Sequence, residues 1–247
     1  MQITLQWLKD NEASKEFYTW AVTYFGVQTQ IDSSTLITEL LSEHQYDWAN
    51  FLVLRQLTHS QKIQYGIFAS QQCINNFTSA YPNDGRPSEA LASAIAYLNN
   101  PTPENASICA TKSTGSNMAA DVAKAVINED INPHSVLNFA DDQVKIYNTI
   151  LAEANSNTSI NSAYCAENAS NICYSNAYPV ITHGYATDNN GFDYAVEAYN
   201  ACATSQAWQA YSNSIQTNGG YPLANQQYST AYANAKLSMI NYGLSLI

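Results

Sequence analysis

The sequence predicts an all-α protein, a multi-helix orthogonal bundle or a short α-solenoid-like stack, with no sheet. Three observations lead there. Apolar residues recur at i, i+3, i+4 and i+7 along the chain, the spacing that collects them on one helix face. No run shows the apolar/polar alternation with β-branched enrichment that marks a half-buried strand. Proline-containing stretches and short Gly/Asn runs punctuate the periodic segments as turns.

Each element has its own signal. Phe17, Trp20, Ala21 and Tyr24 share the face of a first helix. Asp32, Ser33 or Ser34 can cap a second, on which Leu36, Leu40 and Leu41 lie together. In YDWANFLVL the apolar residues Trp48, Phe51, Leu52 and Leu54 are too dense for a narrow stripe, so this helix is expected to be buried on most sides. Ile63, Ile67, Ile74 and Phe77 mark a fourth helix that must stop near Tyr81, because Pro82 disfavours helical geometry in the residue before it. YPNDGRP is then a turn, and Pro87 suits the first turn of a helix carrying Leu91, Ile95 and Leu98. Pro101 and Pro103 end it. Met118, Val122 and Val126 set the core face expected for the next helix, and Leu137, Ala140, Val144, Tyr147 and Leu151 that of the one after. Beyond residue 154 three further helical segments substitute Ala and Tyr for Leu and Ile, and small residues at helical spacing let helices approach closely. Gly184, Asp188 to Gly191 and Asn218 to Pro222 separate them as turns.

Composition divides the chain in two. Only 12% of the 247 residues are charged, about half the ~25% usual in globular proteins. Residues 1–153 hold 24 of the 29 charges, and 154–247 hold Glu167, Asp188, Asp193, Glu197 and Lys236 alone. We therefore expect a helical domain over 1–153 and a charge-poor Ala/Tyr/Asn-rich helical extension over 154–247, packed together as one globule. The net charge of −11 with nine Lys+Arg argues against a nucleic-acid partner, since phosphate neutralisation needs a basic patch. No stretch approaches the ~20 apolar residues of a spanning helix, so no membrane association is expected. The N-terminus lacks a basic stretch followed by an apolar run, and five Cys without a C-x-x-C suit free buried thiols in a reducing compartment. The expected location is the cytoplasm of a bacterial or phage-infected cell, or an assembled virion.

Signals for chemistry are sparse. His44, His59, His134 and His183 show no H-x-x-x-H spacing and no nearby Cys, so no zinc signature arises. DNNGFD at Asp188–Asp193 lacks the ligand alternation and distal Glu of a calcium loop and reads as a polar turn. The adjacent pairs Glu129–Asp130 and Asp141–Asp142 point to different helix faces and cannot share a proton. Cys165 or Cys173 with His183 would need an electropositive setting that this region does not offer. No catalytic residue, metal site or cofactor is assigned, and the chain is expected to be non-enzymatic.

In YPNDGRPSEAL, Asp84 can cap free N–H groups and Arg86 can pair with it, a structural role for the turn. The order WLKDNEASKEFYTW, YDWANFLVL and FTSAYPNDGRPSEALASAIAYL resembles that of a helical immunity-protein family of bacteria and phages, similar to the fifth class of toxin-immunity domains. The likeness spans residues 5–98. Its sharpest part is a signature that falls on Tyr81, Pro82, Asp84, Arg86, Pro87 and Ala90. The resemblance implies an all-helical fold and a protein that acts by binding another protein.

From Ala198 to Ala235 no charged residue occurs in 38 positions. Such a surface is either ordinary and solvated by Asn, Gln, Ser and Tyr, or an interface, since interfaces are depleted in charge and enriched in Tyr and Trp. The residues expected at such an interface are Tyr199, Trp208, Tyr211, Tyr221, Tyr228 and Tyr232. Two functions follow as expectations. One is a non-enzymatic protein-binding module like the immunity proteins. The alternative is a structural subunit of a larger assembly, such as a capsid, tail or baseplate component of a phage virion, touching neighbouring subunits or copies of itself through the C-terminal third.

Overall fold

The computed structural model describes residues 1–26, 29–130, 139–177, 189–218 and 221–247, with side chains described in all of these except 126–130, 139–147, 176–177, 189–190, 218 and 221. The described chain is helical almost throughout. It runs β1 (Gln2–Ile3), α1 (Leu5–Asp10), α2 (Lys15–Phe25), β2 (Ile31–Asp32), α3 (Ser33–Ser42), α4 (Tyr46–Gln56), α5 (His59–Ala80), α6 (Arg86–Asn99), α7 (Pro103–Asp130), α8 (Phe139–Ala177), α9 (Asn189–Asn218) and α10 (Tyr221–Leu246). The expectation of no sheet needs one correction. β1 and β2 pair antiparallel, Ile3 opposite Ile31, a two-residue contact too short to leave an alternating pattern.

Local chemistry explains the boundaries. Thr4, Ser14 and Asp32 each accept a backbone N–H at the start of α1, α2 and α3, satisfying donors that have no partner inside a helix. Thr58 and Gln61 form a reciprocal capping box at the start of α5. α5 ends at Ala80, before the Tyr81–Pro82 step, and α6 carries Pro87 in its first turn, where a missing N–H costs nothing. Residues 139–177 contain neither Gly nor Pro, and they form one helix of 39 residues. The compositional border at 153/154 lies inside α8 and is no break in the fold. The segment expected to begin a separate helix after residue 154 continues the preceding one.

α8 is the hub. It packs on α5, α6, α7 and α9, while α10 lies on α9 and returns to α4 and α5. In a solenoid each repeat touches only its neighbours, so the architecture is a bundle around a central helix. Side chains at the α8 crossings are small: Ala163, Ala166 and Ala169 are fully buried, as are Ser162 and Ser170. Serine hydroxyls bridge the helices. Ser70 Oγ donates to the Cys165 carbonyl at 2.9 Å, Ser162 to that of Cys73 at 2.7 Å, Ser116 to that of Ala163 at 2.8 Å and Ser156 to that of Ala123 at 2.7 Å. Each buried hydroxyl is thereby satisfied.

α7 overturns an expectation. Met118 and Val122, read as its core face, are 55% and 48% exposed, whereas Ala106, Cys109, Ser116, Ala119, Ala120 and Ala123 face inward. Where helix axes come close only small side chains fit between them, so Ile108, Met118 and Val122 of α7 are turned outward. Val126 and the residues Leu137, Ala140, Val144 and Tyr147 lie outside the described side chains. In α6, Leu91 is buried and Ile95 and Leu98 are half-buried, with Ala90 and Ala94 the deepest positions.

Candidate functional site

The YPNDGRP turn is built as a brace. The Asp84 N–H donates to the Tyr81 carbonyl at 3.0 Å. Arg86 donates to Asp84 through Nε at 2.9 Å and Nη2 at 2.6 Å, a two-point pair, and its backbone N–H reaches Oδ1 at 3.2 Å. Asp84 thus satisfies the first N–H of α6, as expected. Pro87 is buried, Tyr81 packs on Phe77 with ring centroids 4.9 Å apart, and Pro82 is exposed. The Arg86 stem lies over Gly115 of α7, where an added Cβ would meet it at 3.9 Å. The hydrogen bonds from Arg86 hold the Asp84 carboxyl below its ordinary range. A lowered carboxyl stabilises the fold above its unfolded pKa and loses that contribution as pH falls through the folded value. Arg86→Ala should therefore lower stability by about 1 kcal/mol, as expected of a part-exposed pair. Thermal melts should show the difference from wild type at neutral pH and its closing below pH ~4; equal melts at neutral pH would contradict this.

The aromatic set expected at an interface is largely turned on itself. Tyr199 is 1% exposed, an interior residue that cannot meet a partner. Its ring lies 5.2 Å from Lys236 Nζ, and the Tyr232 ring lies 4.5 Å from the same atom. Lys236 is itself buried and donates to Asp47 Oδ1 at 2.6 Å. Burial pushes the Tyr199 hydroxyl up, and the nearby Asp47 charge adds to this. Trp208 packs edge-on against Tyr211 at 5.4 Å and Tyr228 at 5.1 Å, and Tyr228 stacks on Tyr232 at 6.1 Å. These four are half-buried between α9 and α10, and the side chain of Tyr221 lies outside the described residues.

All five cysteines are free and buried. They form two groups, Cys73 with Cys165 and Cys202, and Cys109 with Cys173. Hydrogen bonds from neighbouring thiols push Cys73 and Cys173 up with burial adding to it, and burial foremost does so for Cys165, the reverse of what a nucleophile needs. Hydrogen bonds within the same groups hold Cys202 below its ordinary range and Cys109 at about 7. His183, considered as a base for Cys165 or Cys173, lies outside the described residues, as do His134 and Asp188. His44 sits on the surface 2.9 Å from the Tyr46 hydroxyl. The DNNGFD turn is corrected, since Asn189–Asp193 form the first turn of α9. Gly191 faces His59 and Ser175, each 3.4 Å from where its Cβ would stand. Among the described residues no three His, Cys, Asp or Glu side chains converge as a metal ion requires, and no helix is long and apolar enough to cross a membrane.

Sequence reasoning passed over a half-open cleft of about 430 Å³ between α8 and α9. Asn161, Tyr164, Asn168 and Asn171 line it from α8, and Tyr194, Glu197, Ala201 and Thr204 from α9, both sets at i, i+3, i+7 and i+10; Glu167 and Asn200 complete it. The spacing brings each set onto one face of its helix. Some polar groups of the cleft are already hydrogen-bonded. Asn161 and Asn168 donate to the carbonyls of Asn157 and Tyr164 at 2.8 and 2.9 Å, and Asn117 of α7 donates to Glu167 Oε2 at 2.9 Å. Burial raises the Glu167 carboxyl, the Asn117 and Asn171 hydrogen bonds offset this in part, and the Asp121 charge raises it further. Tyr164 is raised by burial, then by Asp121 and Glu167, so the cleft sits in a negative field. One signal could have found it. Of the five charged residues beyond 154, two are Glu167 and Glu197.

No family model matches the chain, and it matches neither a curated protein nor a solved structure.

Proposed function

We propose that the protein is a non-enzymatic protein-binding module, like the helical immunity proteins its N-terminal motifs resemble, and that its partner is basic. The observation that carries this reading is the α8–α9 cleft, whose lining holds two carboxylates and two tyrosines on a chain of net charge −11. Such a surface steers a cationic partner into encounter and fixes its register. The YPNDGRP turn serves the scaffold that holds α6 against α7 rather than the contact itself. The alternative, a subunit of a phage particle or similar assembly, rests on the charge-poor third. Four of its expected contact residues are already engaged with one another, which leaves less ring surface for a neighbour.

Light scattering on the eluting chain, alone and after capture on an immobilised copy at low and high salt, tests the proposal. The expected result is a monomer that retains one basic protein at low salt and releases it at high salt, as screening shortens the range of exposed charges. Self-association of the chain, or its recovery only within purified particles, would instead select the assembly subunit.

A further inference from the structure

We propose that the α8–α9 cleft is a binding site for an organic cation, an alkylammonium or guanidinium group, held between Glu167 and Glu197 with the rings of Tyr164 and Tyr194 beside it. The inference rests on the protein-binding reading and deepens it, because a Lys or Arg side chain of a basic partner is one source of this group and a free polyamine is the other.

The chemistry of the lining selects the ligand. A volume of about 430 Å³ lies in the usual range of small-molecule sites, ~300–1,000 Å³. The amides of Asn161 and Asn168 each donate one N–H to a carbonyl of their own helix. Glu167 and Glu197 put two carboxylates into the lining, which suits a cationic ligand rich in donors. An anion would face Glu167, Glu197 and the Asp121 field with no cation beside it in the lining. A metal ion is poorly served, since among the described residues no three ligating side chains converge on one point. A neutral polyol would leave the charge of the two carboxylates uncompensated.

The fold already holds an ammonium group in this way. Lys236 Nζ sits 2.6 Å from the Asp47 carboxylate, 4.5 Å from the Tyr232 ring centre and 5.2 Å from that of Tyr199. One carboxylate and two tyrosine faces suffice there, because the ring quadrupole adds to the ion pair. The cleft lining offers two carboxylates and two tyrosines.

Calorimetric titration of the full chain with spermidine, with a short Arg/Lys peptide and with glucose tests the site, alongside the Glu167→Gln/Glu197→Gln variant. The expected result is saturable binding of spermidine, the peptide or both, weakening with salt, absent for glucose, and reduced at least about tenfold in the variant. Binding of spermidine alone identifies a free polyamine as the source, and binding of the peptide identifies a partner side chain. Thermal melts of the variant beside wild type separate loss of binding from unfolding, and an unfolded variant is replaced by Glu197→Gln alone, whose carboxylate is exposed. No saturable cation binding, equal affinity in the variant, or binding of glucose overturns the site. If the cations bind but no basic protein is captured, the site stands and the protein-binding reading fails. If a basic protein is captured equally by wild type and variant, the reading stands and the site fails.

Discussion

Gly66→Leu is expected to destabilise the protein by at least about 3 kcal/mol, at the upper end of what overpacking a closed core costs. Gly66 lies in α5 where that helix crosses α8. A Cβ there would stand 2.6 Å from Ile172 Cδ1, 3.2 Å from the Ala169 Cα and 3.5 Å from its Cβ. The Ile172 methyl is the far end of a side chain and can rotate, but the Ala169 backbone belongs to the hub helix and can move only by shifting α8. Leucine adds three further carbons in the same direction. Gly66→Ala separates the two effects, because relief of the glycine penalty in a helix, ~1 kcal/mol, offsets much of the smaller clash and should leave a near-neutral variant. Urea denaturation of the three proteins measures this. A leucine variant within about 1 kcal/mol of wild type would show that α5 and α8 are not in the close contact described.

The same crossing explains what could be read from the sequence. The N-terminal helices were legible because large apolar residues and their caps do the packing. Leu36 and Leu40 are buried on α3 and Asp32 caps it. Pro82 and Pro87 bracket the α5–α6 turn, and Phe77 and Leu91 lie inward as their spacing requires. In α7 the rule failed, since a search for large apolar residues selects Met118 and Val122, while Cys109, Ala119 and Ala123 make the contact. α8 could have been read whole from its lack of Gly and Pro. The change in composition at 154 drew attention to a border that the backbone ignores.

Charge poverty in the later part of α8 and the first part of α9 has its reason in position. From residue 154, α8 is enclosed by four helices, and α9 buries Ala195, Ala198, Tyr199, Cys202, Ser205 and Ala207. Lys or Glu at such positions would lose hydration without a partner. Serine fits where they cannot, because its hydroxyl reaches a carbonyl of the facing helix, as Ser205 Oγ does to Thr158 at 2.8 Å. Interior packing thus accounts for the first part of the uncharged run, Ala198 to Ala207 in α9, whereas from Pro222 to Asn234 of α10 only Ala224 is buried. The charges that survive are the informative ones: Lys236 in its tyrosine cage and Glu167 and Glu197 in the cleft. Periodicity alone could not find that cleft, because polar stripes at helical spacing ordinarily face only water.

Phe17→Ala is expected to cost about 3–5 kcal/mol, the range for removing a fully buried aromatic ring. Phe17 is 1% exposed. It stacks on Trp48 at 5.2 Å, lies 6.2 Å from Trp20 and meets Phe51 edge-on at 5.9 Å. Its loss removes a ring that joins α2 to α4 and leaves Trp20 against Trp48, centroids 5.9 Å apart, as the remaining aromatic contact between them. The damage should pass further, because Phe51 also packs edge-on against Phe192 of α9 at 5.7 Å, and the Arg55 guanidinium lies 3.8 Å from the Phe192 ring centre. Freed from Phe17, Phe51 can tilt into the cavity and loosen the contact between α4 and α9. Phe17→Leu keeps much of the volume and should recover a large part of the loss, which distinguishes cavity formation from loss of ring stacking alone. Three of the four tryptophans, Trp7, Trp20 and Trp48, lie in this region, with Trp208 far along the chain. Denaturant melts followed by tryptophan fluorescence should therefore show the alanine variant losing its N-terminal signal early, before helical ellipticity falls. A coincident transition, shifted by less than about 1 kcal/mol, would mean that the α2–α4 contact contributes little to holding the first helices on the bundle.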